Sequence, residues 1–375
     1  MATTVYCNNA ATSWPKAPGT SLAVAGHMDA LPLHPGRSGF DVPDPEGDCR
    51  TRLAKLLRVE DASRIVLAAN ATHALNVALH GFPWAEKAVA LTTLAEHNSV
   101  LRPLHFLQRH RGLRVAYART DSAGRIDLRH WEEALRRHRP QLAVFTHASN
   151  VTGAVNPVEE MCALARAAGA ATLVDASQTA GCTAVLPRDW GADMLAFTGH
   201  KYLLGPPGTG GLYIAPGVEL EPVLVGGTGI LSELEDMPPQ LPVRYEAGTP
   251  NSPAFAGLAH ALAWGEAHPY PTGEVERRLE RLREGLALAG AWIADWKGAH
   301  TPVLSFTLPG VSVEDAGEIL QRSFGIICRT GLHCAPLVHN AIGAGSEGTV
   351  RFSLSRFTTD EEVDYVLDAV RRILA

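Results

Sequence analysis

Thr198-Gly-His-Lys-Tyr-Leu-Leu-Gly-Pro-Pro-Gly-Thr-Gly-Gly-Leu-Tyr-Ile214 follows the apolar run Met194 to Phe197 and sets one lysine between a strand-like segment and a glycine-rich turn. The turn returns the chain to a second short apolar strand. Only five of the 33 basic residues are lysines (Lys16, Lys55, Lys87, Lys201 and Lys297). A guanidinium stays protonated and delocalised, whereas a desolvated lysine amine loses its proton and attacks a carbonyl. Lys201 is the lysine best placed for that chemistry. The ordinary fate of such a residue, a strand-end lysine reaching solvent, stays open on this segment alone.

Upstream, Ala170-Ala-Thr-Leu-Val-Asp-Ala-Ser-Gln178 reads as an apolar strand that ends in an acid, with a glutamine three residues on. In an open α/β sheet, ligands collect at the carboxyl ends of the strands, where Asp175 falls. A pyridoxal phosphate (PLP) site needs a lysine to condense with the aldehyde and a carboxylate to keep the pyridine nitrogen protonated. Asp175 and Lys201 supply that pair, although an aspartate here serves a helix cap equally well.

Outward from this centre, strand and helix patterns alternate, as a parallel sheet requires. Arg64 to Ala69 reads as a strand feeding a helix over 70–79, with further strands at 89–93, 113–118 and 141–146. Helices are expected over 49–57, 99–111, 127–138 and 157–168, and a long helix begins near Ala254. Asn70-Ala-Thr-His73 opens its helix with small residues, so free N–H groups and the helix dipole form an anion site with Thr72 as hydroxyl ligand; a plain cap is the other reading. Residues 1 to about 20 read as an irregular arm, because Trp14-Pro-Lys-Ala-Pro18 bars regular structure. From about 270 the pattern restarts: helices over 274–290, 312–323 and 359–374, strands over 302–308, 325–328 and 349–354. The glycine-rich turn at 205–211 precedes a strand, so it is not a dinucleotide fingerprint, which opens a helix.

A length of 375 residues predicts about two domains, and the 46% hydrophobic and 19% charged fractions are those of a globular protein. The formal charge of −6 gives no footprint for nucleic acid or an anionic membrane surface. The first residues lack a signal-peptide pattern, and no apolar run reaches the ~18 residues of a membrane span. The six cysteines are scattered with no C-x-x-C pair, which points to a reducing cytoplasm. His333, Cys334 and His339 fit no standard zinc spacing, so no metal is expected.

The chain resembles the cysteine desulfurase family of PLP enzymes with the class V aminotransferase fold. The resemblance runs nearly end to end, through Asn8-Asn-Ala-Ala-Thr12, Asn70-Ala-Thr-His73, Glu96-His-Asn98, Ala148-Ser-Asn-Val-Thr-Gly153, Asp175-Ala-Ser-Gln178, Thr198-Gly-His-Lys201, Tyr245-Glu-Ala-Gly-Thr-Pro-Asn251, Arg329-Thr-Gly-Leu-His-Cys-Ala-Pro336 and Val350-Arg-Phe-Ser353. It implies an α/β fold, PLP-dependent transferase fold type I. A large domain (17–262) with a mainly parallel seven-stranded sheet is expected beside a smaller C-terminal α/β domain (263–375, with arm 1–16).

The resemblance also implies roles. Ala71, Thr72, Thr198 and His200 contact the cofactor phosphate, and Gly248 with Thr249 reach the phosphate of a second subunit. His97 stacks on the ring and relays protons, Asn150 donates to the ring hydroxyl or to the substrate carboxylate, and Gln178 contacts the ring hydroxyl. Ala10, Ala11 and Arg37 approach the substrate, Arg37 from the neighbouring subunit. Arg351 is the first candidate for gripping the substrate carboxylate and Arg329 the second, since a guanidinium holds a carboxylate with two parallel hydrogen bonds. Two positions depart from the family pattern, Asn8 for an aspartate and His73 for an acid.

The expected protein is therefore a homodimeric PLP-dependent desulfurase that converts L-cysteine to L-alanine. Lys201 moves the Cα proton, and sulfur is stored as a persulfide on Cys334. A short rigid loop around Cys334 implies transfer to a sulfur-acceptor protein. Selenocysteine lyase and a β-eliminating C–S lyase are the rival activities, and a non-catalytic sulfur-carrier scaffold is the rival class.

Overall fold

A computed structural model describes residues 4–31 and 42–375; Arg37 lies outside the described residues. In chain order the strands and helices are β1 (Val5–Tyr6), α1 (Thr20–Asp29), α2 (Pro45–Leu57), β2 (Ile65–Ala68), α3 (Ala71–Gly81), β3 (Val89–Thr93), α4 (Asn98–Arg111), β4 (Arg114–Ala118), α5 (Leu128–His138), β5 (Leu142–Thr146), α6 (Val158–Ala167), β6 (Ala171–Asp175), α7 (Pro187–Trp190), β7 (Met194–Thr198) and β8 (Gly210–Ile214). They continue with α8 (Ser252–Ala267), α9 (Thr272–Leu288), β9 (Trp292–Ile293), β10 (Val303–Thr307), α10 (Val313–Phe324), β11 (Ile326–Ile327), β12 (Arg329–Gly331), α11 (Val338–Ile342), β13 (Thr349–Ser353) and α12 (Asp360–Leu374).

Seven strands form one sheet, the number that the family resemblance implies, in the order β2-β8-β7-β6-β5-β3-β4. Every pairing is parallel except those of β8, which runs against both β2 and β7. Its inner strands are nearly continuous apolar runs because both faces are covered, whereas the edge strand β4 is partly exposed. Ala143, Phe145, Leu195 and Phe197 pack into one core with α2, α5, α6 and α8. Their neighbours Leu142, Val144, Met194 and Ala196 pack with α3 and α4 on the opposite side. The period of two within each run thus supplies both cores.

The later elements form a four-stranded sheet in the order β12-β13-β10-β9, with α9, α10 and α12 closing a separate core around Phe306 and Phe352. Among the described residues, no helix is long and apolar enough to cross a membrane.

Several short elements escape the sequence reading. Helix α2 starts at Pro45 rather than near Cys49, because Asp44 caps it by accepting from the Gly47 N–H at 2.8 Å and Pro45 suits the first helical turn. The arm expected to be irregular contributes β1, which pairs in parallel with β11, and α1 follows it directly. Leu22 and Met28 of α1 are exposed, so this helix carries no readable apolar stripe. The segment expected as a strand over 325–328 is the two-residue β11, and Arg329–Gly331, read as part of a loop, is held as β12 by its ladder to β13.

Gly210 pairs with Ala68 on one side and Thr198 on the other, at the end of the sheet where β2 and β7 deliver their following loops. A Cβ there meets Phe197 O at 2.7 Å and Asn70 Cα at 2.8 Å, and both atoms are backbone that cannot turn aside. Gly210→Ala is expected to destabilise the fold by about 1–3 kcal/mol. Chemical denaturation reads this as a lower midpoint at unchanged slope, and an unshifted midpoint contradicts the packing argument.

Candidate active site

The carboxyl ends of β2, β3, β5, β6 and β7 all open on one cavity of about 320 Å³. Its lining includes Ala10, Ala11, Ala71, Thr72, His97, Asn150, Asp175, Gln178, Thr198, His200, Lys201, Arg329 and Arg351. Thirteen residues singled out from the sequence therefore converge. Cys334 lies beside them in an adjoining hollow of about 470 Å³, which shares Thr72, His97 and Ser99 with the first. Gly248 and Thr249 are exposed and line neither hollow.

Each polar group has a local reason for its position. Asn70 caps α3 by accepting from the His73 N–H at 2.9 Å, which leaves the Ala71 and Thr72 N–H groups at the helix start facing the cavity. Asp175 Oδ1 accepts from Ser177 N and Oγ at 2.9 and 2.5 Å, which fixes the carboxylate and leaves Oδ2 without a protein donor among the described residues. Gln178 uses its Nε2 on Ala10 O at 3.1 Å, so its buried Oε1 is without a partner. Ser99 donates its backbone N–H to His97 Nδ1 at 3.1 Å; Nδ1 is therefore an acceptor, and the ring proton sits on Nε2.

The electrostatics are unusual. Arg329 and Arg351 stand opposite each other across the β12–β13 ladder. Arg351 is only 1% exposed; it donates Nη1 to Asn150 O at 2.8 Å and Nη2 to Asn8 Oδ1 at 3.4 Å, and its Nε has no partner. No carboxylate pairs with either arginine among the described residues. Asn8, the departure noted in the sequence, is the reason on the Arg351 side: an amide oxygen offers hydrogen bonding without neutralisation. Burial brings the Arg351 pKa down to about 10.

The same surroundings act on the neighbouring bases. Burial pushes the Lys201 amine down to about 8; Asp175 opposes this, and Arg351 and Arg329 add to it. Burial, then Lys201 and Arg329, take His97 to about 3, and burial with Lys201 and Lys16 takes His200 to about 4, so both rings are neutral at pH 7. Buried Glu96 goes the other way, to about 8, held by Thr93 Oγ1 and the Thr146 N–H.

Cys334 sits in a rigid turn. Both His333 and Cys334 have positive φ, 51° and 59°, a conformation non-glycine residues rarely keep without support. The support is specific: Asn150 Nδ2 donates to His333 O at 2.7 Å, Asn98 N donates to Cys334 O at 2.7 Å, and His333 Nε2 meets Thr349 Oγ1 at 2.9 Å. Arg329 Nη2 donates to Cys334 Sγ at 2.8 Å.

Sequence reasoning missed Ser99, Ser177, Thr146 and Glu96 as site groups. Ser99 and Ser177 each lie two residues beyond the group they orient, a local side-chain-to-backbone spacing that was available as a signal. Glu96 and Thr146 meet only through folding.

The donor set suits a ligand with an anionic end for the α3 terminus, a protonated ring atom for Asp175 Oδ2, a hydroxyl for Gln178 Oε1 and a carboxylate for Arg351. A family model described as aminotransferase class-V matches residues 46–366. The chain is 31% identical to the "Probable cysteine desulfurase" of Methanothermobacter thermautotrophicus over 87% of this chain and 83% of the relative. It is also 31% identical to a cysteine desulfurase of Gluconacetobacter diazotrophicus, covering 90% and 84%. The apo structure of a cysteine desulfurase from Thermococcus onnurineus superposes with a TM-score of 0.89 at 29% identity, covering 99% of this chain and 94% of that one.

Buried neutral histidines make the fold acid-sensitive. His97, His147, His200 and His300 are lowered to between about 3 and 4 from the ordinary 6.5, with burial first among the causes for each. Below pH 6.5 the unfolded chain takes up protons that the folded chain refuses, so stability falls with pH, by on the order of 1 kcal/mol per pH unit for each histidine. Glu96, raised to about 8, and Glu246, also raised by burial, oppose this. Denaturation midpoints are expected to drop from pH 7 to pH 5; a flat or rising profile contradicts the burial of neutral rings.

Proposed function

The chain belongs to the cysteine desulfurase family within the class-V aminotransferases, and from that premise we propose that it is a PLP-dependent cysteine desulfurase with Lys201 and Cys334 as its working groups. The net reaction takes L-cysteine and the Cys334 thiol to L-alanine and a Cys334 persulfide: the substrate Cβ–S bond breaks, an S–S bond forms on Sγ, and Cβ gains a hydrogen. The convergence of Lys201, Asp175, His97, Arg351 and Cys334 on one pair of adjoining hollows carries this reading.

The fit to PLP rests on the groups left unsatisfied. The Ala71 and Thr72 N–H groups, with Thr198 and His200, would hold the phosphate; Asp175 Oδ2 would hold the protonated ring nitrogen; Gln178 Oε1 would accept from the ring hydroxyl. Bound there, PLP supplies the electron sink that makes the substrate Cα proton removable. Lys201, with an amine pKa near 8, has a sizeable neutral fraction at physiological pH and takes that proton. His97 presents its Nε2–H to the same space. Arg351, buried and without an acid partner, grips the substrate carboxylate, whereas Arg329 is engaged with the sulfur of Cys334. That division of labour follows from their present partners.

The turn that carries Cys334 is bonded at both His333 O and Cys334 O, so Sγ has no arm on which to travel. A sulfur-acceptor protein would therefore come to the site, and its approach is past Leu332, which is exposed. Exposed Gly248, Thr249, Leu22 and Met28 support a homodimer in which a second chain covers these surfaces.

Incubation of the purified protein with cysteine, followed by assay of alanine, sulfide and pyruvate together, tests the activity. Alanine without pyruvate is expected; pyruvate in place of alanine moves the assignment to β-elimination. Cys334→Ala is expected to cut alanine formation by roughly a hundredfold or more, the scale of losing a nucleophile. Its visible absorption should be retained, and borohydride should trap the cofactor on Lys201 in both proteins. Full turnover by Cys334→Ala, or trapping on another lysine, overturns the respective role. Light scattering is expected to give twice the 40.0 kDa chain mass, and a monomer at full PLP occupancy contradicts the dimer.

A further inference from the structure

The Lys201 loop has two sides. His200 and Lys201 line the catalytic cavity, whereas Tyr202, Leu203 and Leu204 line a second and larger one, of about 630 Å³, between α8 and α9. That volume lies within the range of about 300–1,000 Å³ typical of small-molecule sites. Most of its wall is apolar, with Leu262 from α8 and Val275 and Leu279 from α9.

Among the described residues, the Tyr202 and Tyr270 hydroxyls and the Nε2 of His300 in that wall have no protein partner. Tyr202 is 4% exposed, and its buried hydroxyl donates to nothing. The Tyr270 hydroxyl is likewise buried and unpartnered, and it lies near enough to Tyr202 and Cys182 that both act with burial to hold its proton on. His300 shares Nδ1 with Gly298 O at 2.9 Å; a carbonyl only accepts, so Nδ1 carries the proton and the buried Nε2 is a free acceptor. Buried polar groups are nearly always hydrogen-bonded, because leaving one unmet costs about 1–3 kcal/mol. Two unmet donors and one unmet acceptor in one apolar wall match a head group that both accepts and donates.

We propose that this cavity is a second binding site, separate from the catalytic one, for a small apolar molecule that ends in a primary carboxamide or an un-ionised carboxylic acid. The head group's carbonyl oxygen takes the two phenol protons and its N–H or O–H meets His300 Nε2, while the apolar body fills the space between α8 and α9. The assignment rests on these groups alone and stands or falls independently of the desulfurase reading.

Titration of the PLP-loaded enzyme with 2-naphthamide, read by calorimetry, tests it. Saturable binding of one molecule per chain is expected. The double variant Tyr202→Phe/Tyr270→Phe should weaken it roughly tenfold or more, since two hydrogen bonds of about 1 kcal/mol each are lost. Gly265→Phe should abolish it: Gly265 lines the cavity, and a Cβ there meets nothing within 4 Å. Replacing a glycine inside α8 favours the helix, so this variant should remain folded, and its thermal melt verifies that. Binding that fails to saturate, or that survives the double phenol change undiminished, overturns the proposal. So does undiminished binding in folded Gly265→Phe.

Discussion

Two guanidinium groups facing each other across a β-ladder, with no acid between them, set the terms for the rest of this molecule. Like charges directly opposite in an antiparallel pair are destabilising, and Arg329 and Arg351 occupy such a pair between β12 and β13. Among the described residues, Asp175 is the single carboxylate lining the cavity they share with Lys201. At an effective dielectric near 20, two unit charges 4 Å apart interact by about 4 kcal/mol, so the site lowers its energy by keeping its other bases uncharged. Burial comes first in keeping His97, His200 and Lys201 uncharged, and the two arginines add to it for His97 and Lys201. The cavity is thereby prepared for anions before any arrives.

Holding such a site together requires cross-links, and the N-terminal segment provides them. Asn9 Nδ2 donates to Ser353 O at 2.9 Å and the Ala10 N–H donates to Ser353 Oγ at 2.9 Å, which ties the arm to the last strand. A few residues on, Ser13 N and Lys16 Nζ donate to His200 O at 2.9 and 2.8 Å, which ties it to the Lys201 loop. The arm therefore spans the seam between the two sheets, and Gln178 closes the circuit by donating to Ala10 O. Residues that look structureless in sequence are here a strap whose side chains bond to groups far away in the chain.

The large sheet was legible because most of its buried strands are short apolar runs followed by a helical period, and that pattern is local. Position made Asp175 and Lys201 candidates, since the carboxyl end of a strand in an open sheet is where ligands gather, and the family motifs singled them out. The partnership of Arg329 with Cys334 could not be read so, because it depends on β12 being a strand, and β12 exists only through its register with β13. The short element β1, two residues long, depends on its pairing with β11, which lies far away in the chain. Family motifs located Cys334 and Arg351, but not the absence of an acid beside them; that emerges only from the spatial neighbours of Asn8.

The strap also has a consequence for the birth of the protein. Residues 8–13 leave the ribosome long before Ser353 of β13, which supplies groups that hold them. Contacts between such distant parts of a chain form late, after a large loop-closure entropy has been met. During synthesis the seven-stranded sheet can close while the arm is still loose and its cationic cavity lacks one wall. Activity should consequently appear in a nascent chain only once Ser353 is free to pair with the arm, in one step and not by degrees.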